Sequence, residues 1–216
     1  MKKLLLFLLT CLIVYSFSIT ACSADNAYSD EGAYVSVNIG AAMLSDADLT
    51  YPGVPILGSL EFSTGFTGGI ALGYGVAYNM RVEGELVYQK NDIDRATAQG
   101  ISANASGDTS SLALLLNGYY DFMNSSAFTP FISAGIGVAK IDVNNFTLVG
   151  GNQIGSEDDT VFAYQVGAGV GYAVTEKTSI DLKYRYFGTA DPDFNGVEAE
   201  YGSHNIYVGL RFVFWP

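Results

Sequence analysis

The sequence predicts an all-β chain: an eight-stranded antiparallel transmembrane β-barrel with short turns at one end and long loops at the other. Three observations carry the prediction. Eight segments alternate apolar with mixed residues at a period of two, which makes a strand with two unlike faces. The connections between them alternate strictly between long and short. After the N-terminal segment no run reaches the ~18 consecutive apolar residues of a membrane helix, so any membrane crossing must use strands.

Length and composition agree. A chain of 216 residues makes one barrel and leaves little room for a second domain. Glycine (25), tyrosine (15) and phenylalanine (13) are abundant and charged residues make up only 15%, a balance that favours sheet and an apolar exterior.

Lys2 and Lys3 precede an apolar run from Leu4 to Ile19, and the small residues Ala21, Cys22, Ser23 and Ala24 follow it. Residues 1–24 read as a secretory signal peptide, with Asp25 as the mature N-terminus and 25–216 as the barrel domain. Losing two lysines and no acid takes the formal charge from −12 to −14. Both cysteines, Cys11 and Cys22, fall in the removed segment, so the mature chain has no thiol chemistry. The run Ile19-Thr20-Ala21-Cys22 also resembles a lipoprotein cleavage box, in which Cys22 would become a lipid-bearing N-terminus.

After an acidic lead, the first run sets Val35, Val37, Ile39, Ala41 and Met43 against Ser36, Asn38, Gly40 and Ala42. The second sets Phe66, Gly68, Ile70, Leu72, Tyr74 and Val76 against Thr67 to Gly75, and the third sets Met80, Val82, Gly84, Leu86 and Tyr88 against Arg81, Glu83, Glu85, Val87 and Gln89. The fourth sets Leu112, Leu114, Leu116, Tyr120 and Phe122 against a face that includes Asn117, Tyr119 and Asp121. The fifth, Thr129 to Ile141, sets Pro130, Ile132, Ala134, Ile136 and Val138 against Phe131, Ser133, Gly135, Gly137 and Ala139. The sixth, Val161 to Val174, has Phe162, Tyr164, Val166, Ala168, Val170 and Tyr172 opposite Ala163, Gln165 and three glycines. The seventh has Ile180, Leu182, Tyr184 and Tyr186 opposite Asp181, Lys183 and Arg185. The eighth has Ile206, Val208, Leu210, Phe212 and Phe214 opposite Tyr207, Gly209, Arg211 and Val213.

The connections read long (44–65), short (77–79), long (90–110), short (123–128), long (142–160), short (175–178) and long (188–203). Tight turns alternating with long loops are the pattern of an outer-membrane barrel, with turns in the periplasm and loops outside. A soluble barrel of lipocalin type is the competing architecture, and the position of charge separates the two. A soluble barrel shows charge to water, whereas here the more aromatic face carries no formal charge at its central positions. Turned to water it would form a patch far above the few hundred Å² that soluble monomers tolerate. Lysine or arginine on a lipid face costs about 2 to 4 kcal/mol at mid-membrane, which fixes the register. Aromatics gather near both ends: Tyr74, Tyr78, Tyr120, Phe122, Phe128, Tyr172, Phe212 and Phe214 near the short turns, Phe66, Tyr88, Phe162, Tyr164 and Tyr186 near the long loops.

Inside, the third and seventh runs lie four strands apart and face each other across the lumen. Counting inward gives Arg81, Glu83 and Glu85 against Asp181, Lys183 and Arg185, and an ion-pair network that plugs the barrel is expected there, with strand shear able to offset individual pairs. Arg211 is inward by the same parity. Glu83 and Glu85 share a face, as an acid/base pair would, but a filled lumen cannot receive a polymer substrate.

Chemistry in the loops is sparse. Ser203 and His204 are the seed of an acyl-transfer constellation, yet neighbours on a strand point to opposite faces. Acidic groups recur at Asp46 and Asp48, Asp92 and Asp94, Glu157 to Asp159, and Asp191 and Asp193, without the glycine and glutamate of a calcium loop. A solvated acidic surface is expected, bridged to lipid phosphates by divalent ions, with no cofactor, no bound metal and no nucleic-acid partner. Asn-x-Ser/Thr sites at Asn104, Asn124 and Asn145 matter only in a eukaryotic secretory path.

The stretches TPFISAGIGVA (129–139), FAYQVGAGVGYAVTEK (162–177), DLKYRYFG (181–188) and HNIYVGLRFVF (204–214) resemble the OmpA-like outer-membrane barrel superfamily. Within it they are most similar to the surface-antigen family of rickettsia-like intracellular bacteria. The resemblance spans essentially all of 25–216, strongest in the C-terminal half. It implies a barrel in the bacterial outer membrane whose external loops meet host receptors or antibodies, with no catalytic motif and, unlike full-length OmpA, no peptidoglycan-binding domain. It also implies that the insertion machinery reads the last strand, alternating back from Phe214 through Phe212, Leu210, Val208 and Ile206, with Trp215 and Pro216 extending past it. A small-solute porin is the alternative function, and an outer-membrane acyl-chain enzyme a more remote one.

Overall fold

The computed structural model describes residues 32–51, 54–76, 79–98, 101–148, 157–194 and 197–215. The expected signal peptide with Cys22, Asp25, Tyr78 and the outermost hairpin tips lie outside the described residues. Twelve strands follow in order: β1 (Gly32–Leu44), β2 (Ala47–Tyr51), β3 (Val54–Phe62), β4 (Gly65–Val76), β5 (Met80–Ala98), β6 (Ile101–Asp121), β7 (Phe128–Leu148), β8 (Glu157–Ala173), β9 (Thr178–Thr189), β10 (Asp193–Phe194), β11 (Val197–Ala199) and β12 (Gly202–Trp215).

Eight of them close a ring, β1-β4-β5-β6-β7-β8-β9-β12, with β12 pairing back onto β1 and every pair antiparallel. The three short turns fall where the sequence predicts them, and Asn79 turns the first with φ 62°. Asparagine takes that left-handed conformation more readily than most non-glycine residues.

Following partners once round fixes the stagger. From Tyr34 the path runs through Gly73, Glu83, Asn117, Gly135, Gln165, Phe187 and Ser203 and arrives at Leu44, ten residues further along β1. That shear tilts the strands and sets which interior residues share a height. Half a circuit is worth five residues, so Glu83 is level with about Leu182 although its row partner on β9 is Phe187.

The outward face is a continuous apolar band. Val37, Ile39, Ile70, Leu72, Leu114, Leu116, Ile136, Leu182, Val208 and Leu210 are all about half exposed or more, while their neighbours in sequence are mostly turned inward. A soluble barrel would bury these positions, so the lipocalin alternative fails on burial. Rings bound the band: Tyr120 with Phe122 (5.1 Å) and Phe128 with Tyr172 (4.9 Å) near the turns, Tyr164 with Tyr186 (6.3 Å) near the outer rim.

One expectation is corrected outside the membrane. The described residues of the connections 44–65, 90–110, 142–160 and 188–203 are largely strand rather than irregular loop. A tilted strand crosses in about 9 to 11 residues, whereas β5, β6 and β7 run 19, 21 and 21 residues and so stand well clear of the bilayer. The strands β1, β4, β9 and β12 stop short, and their side of the wall is continued by β3, β2, β11 and β10. β3 pairs with the upper part of β5, β2 with β3, β11 with β2, and β10 with β11. The circuit closes on β8, where the Asp193 amide donates to Asp159 Oδ2 (3.0 Å) and the Ala190 amide to the Phe162 carbonyl (2.8 Å). The first and fourth outer connections are thereby laced into one upper tier. It has its own small core of Ala47, Leu60 and Ile93, with Phe62, Ala96 and Val143 packed against it.

Candidate functional site

The lumen is a filled, layered interior. Arg81 near the periplasmic end makes a fork with Asp121, Nε to Oδ2 at 2.6 Å and Nη2 to Oδ1 at 2.8 Å, and lies 4.3 Å from the centre of the Tyr119 ring. Glu83 accepts from the hydroxyls of Tyr119 (2.9 Å), Tyr34 (3.1 Å) and Ser36 (3.5 Å). Glu85 accepts from Arg185 Nη2 (2.5 Å) and Asn117 Nδ2 (2.8 Å), with Lys183 Nζ 4.0 Å from its other oxygen. Asp181 pairs with Arg211 at 3.3 Å. Rings line the charges: Tyr207 lies 5.0 Å from Arg185 and 5.1 Å from Lys183.

Of the level pairs that counting inward suggests, only Glu85 with Arg185 is a direct contact across the lumen. Arg81 takes Asp121 and Asp181 takes Arg211, because those partners stand on adjacent strands ~4.8 Å away at nearly the same height. A planar guanidinium also gains a second bond from a fork that a cross-lumen reach would forgo. Asp121 has the right parity for this role and is inward by the sequence alone. What singles it out is the stagger, which no local pattern encodes.

The backbone at Gly73 shows why small inward residues are needed: a Cβ there would come within 2.1 Å of Tyr34 Cζ, whose ring lies across the strand to reach Glu83. The cavity lined by Ser36, Asn38, Glu83, Phe131, Asp181 and Lys183, among others, holds about 10 Å³, at the ~10–15 Å³ threshold for a single water.

The outer half of the lumen holds an apolar cluster beside a buried polar chain of Asn91, Gln89, Ser203 and Asn205, and the sequence did not reveal that cluster. Leu44, Val87, Leu115, Ile141, Phe187 and Tyr201 form a buried cluster with Ala113, Ala139 and Ala163. Tyr201 enters from the segment after β11 and meets Phe187 edge-on at 6.2 Å. Burial holds its phenol well above the ordinary range, so it sits in this cluster as an uncharged group.

Ser203 and His204 diverge. The Ser203 hydroxyl is buried inside and donates to Gln89 Oε1 (3.2 Å), while His204 is exposed outside, 2.7 Å from the Tyr184 hydroxyl. Among the described residues no three His, Cys, Asp or Glu side chains converge as a metal site. On β12, Ile206, Val208, Leu210, Phe212 and Phe214 all face outward, and Arg211 and Val213 face inward.

This combination of a closed eight-stranded ring, an apolar exterior band and a charged interior agrees with the comparisons. The family model for the outer membrane protein beta-barrel domain matches residues 9–214. The chain belongs to that family. It is a protein of the bacterial outer membrane, in contact with membrane lipid. Outer membrane protein PagN of Salmonella typhimurium is 36% identical over 135 residues, covering 56% of this chain and 56% of PagN, so the match spans about half of that relative. A Rickettsia bellii protein named "Putative adhesin" is 28% identical over 98% of this chain and 99% of its own length. Among solved structures, Neisserial surface protein A superposes with a TM-score of 0.55 at 25% identity, covering 85% of this chain and all of that one (100%). OprG of Pseudomonas aeruginosa gives 0.54 at 15% identity, over 86% of this chain and 98% of that one, a likeness of fold alone.

Proposed function

We propose that this chain is an adhesion-type surface antigen whose outer hairpins meet host receptors or antibodies, and that its function is binding rather than catalysis. The observation that carries the reading is the upper tier: β5 to β8 rise beyond the bilayer and β3, β2, β11 and β10 complete the wall around a small core. Contact surfaces held on strands keep their geometry better than isolated loops. The name of the full-length rickettsial relative supports the same reading, and the opposite directions of Ser203 and His204 remove the one nucleophile–base pair the loops offered.

The lumen ion pairs together with the apolar plug above them are read as a closure, so that the barrel is a stand for its hairpins and not a passage. Residues 1–24 are read as the export signal, and the outward row of β12 as the strand recognised by the insertion machinery.

The test uses the full chain displayed on a non-adherent bacterium. Replacing 47–62 and 190–200 by short turns should abolish binding to host cells while the barrel still inserts; unchanged binding would refute the adhesion reading. In planar bilayers the intact protein should be silent. Stable, reproducible conductance would move the function to a small-solute porin.

A further inference from the structure

Among the described residues, the upper tier is held by backbone ladders at every join but one. β5, β6, β7 and β8 are paired in succession, β3 pairs with β5, β2 with β3, β11 with β2 and β10 with β11. No such ladder joins β10 to β8 among these residues. On that side of β8 the Ala190 amide still donates to the Phe162 carbonyl (2.8 Å). Above that bond a single side chain bridges the seam. Asp159 Oδ1 accepts from the Thr160 amide of β8 (2.7 Å), and Oδ2 accepts from the Asp193 amide of β10 (3.0 Å). One carboxylate thus stands where further rungs of a ladder would be, and it takes an N–H from each side.

The same seam gathers charge of one sign. Glu157, Asp158 and Asp159 follow one another on β8, and Asp191 and Asp193 lie on the segment 190–200, a strap that carries β10 and β11. Asp193 is also the direct cross-strand partner of Glu198, and like charges placed so weaken a sheet. Lys140 on β7 reaches Asp158 at 3.3 Å, but 186–203 holds neither lysine nor arginine, so the strap brings no cation of its own. Its other attachments are short. The Thr189 amide donates to the Tyr201 carbonyl at its base (3.1 Å), Glu198 and Ala199 pair with Thr50 and Leu49, and the Glu200 amide reaches the Asp48 carbonyl at 3.4 Å.

We propose that the seam between β8 and β10 is an electrostatic latch set by the ionic strength of the medium. The two amide bonds to Asp159 hold the strap against β8, and repulsion among the flanking carboxylates drives the two apart. Exposed charges act on one another over about 10 Å at 0.1 M salt and about 30 Å at 0.01 M. The bonds to Asp159 are direct contacts of a charged acceptor, so screening weakens them far less than it weakens the repulsion. Dilute medium therefore opens the seam and salt closes it. Opening parts the tier between β8 and β10 and uncovers the edge of β8, while the ring below, where β8 and β9 are paired from Ala163 to Ala173, stays closed.

Attraction and repulsion at one seam give variants of opposite sign. Hydrogen–deuterium exchange of the full-length protein in detergent micelles, read by mass spectrometry on peptides from 157–162 and 190–200, follows the latch independently of any binding to host cells. At constant pH, the wild type should exchange several-fold faster in about 10 mM sodium chloride than in about 300 mM, on both sides of the seam together. Asp159→Ala removes both acceptors and should exchange at the fast rate in either medium. Asp191→Asn with Asp193→Asn keeps both backbone amides and should exchange at the slow rate in either medium. Peptides from 205–214 should stay protected throughout, and heat-dependent gel mobility verifies that every variant compared is folded. A wild type indifferent to salt, an Asp159→Ala protein that stays slow, a neutralised strap that still opens in dilute medium, or a change confined to one side of the seam would each overturn the proposal.

Discussion

Glu85 and Arg185 are both fully buried, and their pair bridges opposite walls of the lumen. Removing one partner of such a pair strands the other charge away from water, at a cost of about 3–5 kcal/mol. Glu85→Arg should therefore lower the urea midpoint of the micelle-folded barrel strongly, as should Arg185→Glu, while the double exchange recovers most of the loss. Equal midpoints for all four proteins would refute the pairing. Period-two parity puts both residues inside, and so their facing one another was legible in the sequence. The Arg81–Asp121 and Asp181–Arg211 pairs were not, because their choice follows from a ten-residue shear that accumulates over the whole circuit.

At the scale of the element, alternation identified the eight membrane strands but understated their length. β5 continues through Asn91, Asp92, Ile93 and Asp94 to Ala98, a stretch whose one large apolar residue stands among Asp92, Asp94 and Arg95 and which reads as loop until its partners are known. Its inward residue Ile93 is buried in the core of the upper tier. A carboxylate there would be desolvated without a cation in that cluster. Ile93→Asp should therefore open the outer hairpins to protease, while the membrane portion, which does not depend on that core, stays resistant. Cleavage no faster than wild type would mean that the tier is not held by this cluster. The lacing of β2 to β11 is the feature furthest from sequence reach, joining Leu49 and Thr50 to Ala199 and Glu198 across some 150 residues.

For the whole molecule, ring closure between β1 and β12 satisfies the backbone of both terminal strands, as a bilayer requires. Unfolding must break that seam and expose the lumen charges together, so the transition should be cooperative and slow. The folded protein taken from outer membranes should accordingly run at a different gel mobility before and after boiling. A single mobility under both conditions would be inconsistent with a closed barrel.

The sequence by itself determined the strand count, the inward and outward faces, the end of the barrel that carries the short turns, and which charges are interior. Each of these follows from local alternation and from the cost of placing charge in lipid. Tertiary structure alone decided which interior charges pair, that Phe187, Tyr201 and their neighbours gather as an apolar cluster in the outer lumen, and that the outer connections form a laced tier. Those outcomes rest on shear and on contacts between residues far apart in the chain, and a repeat of two residues holds no record of either.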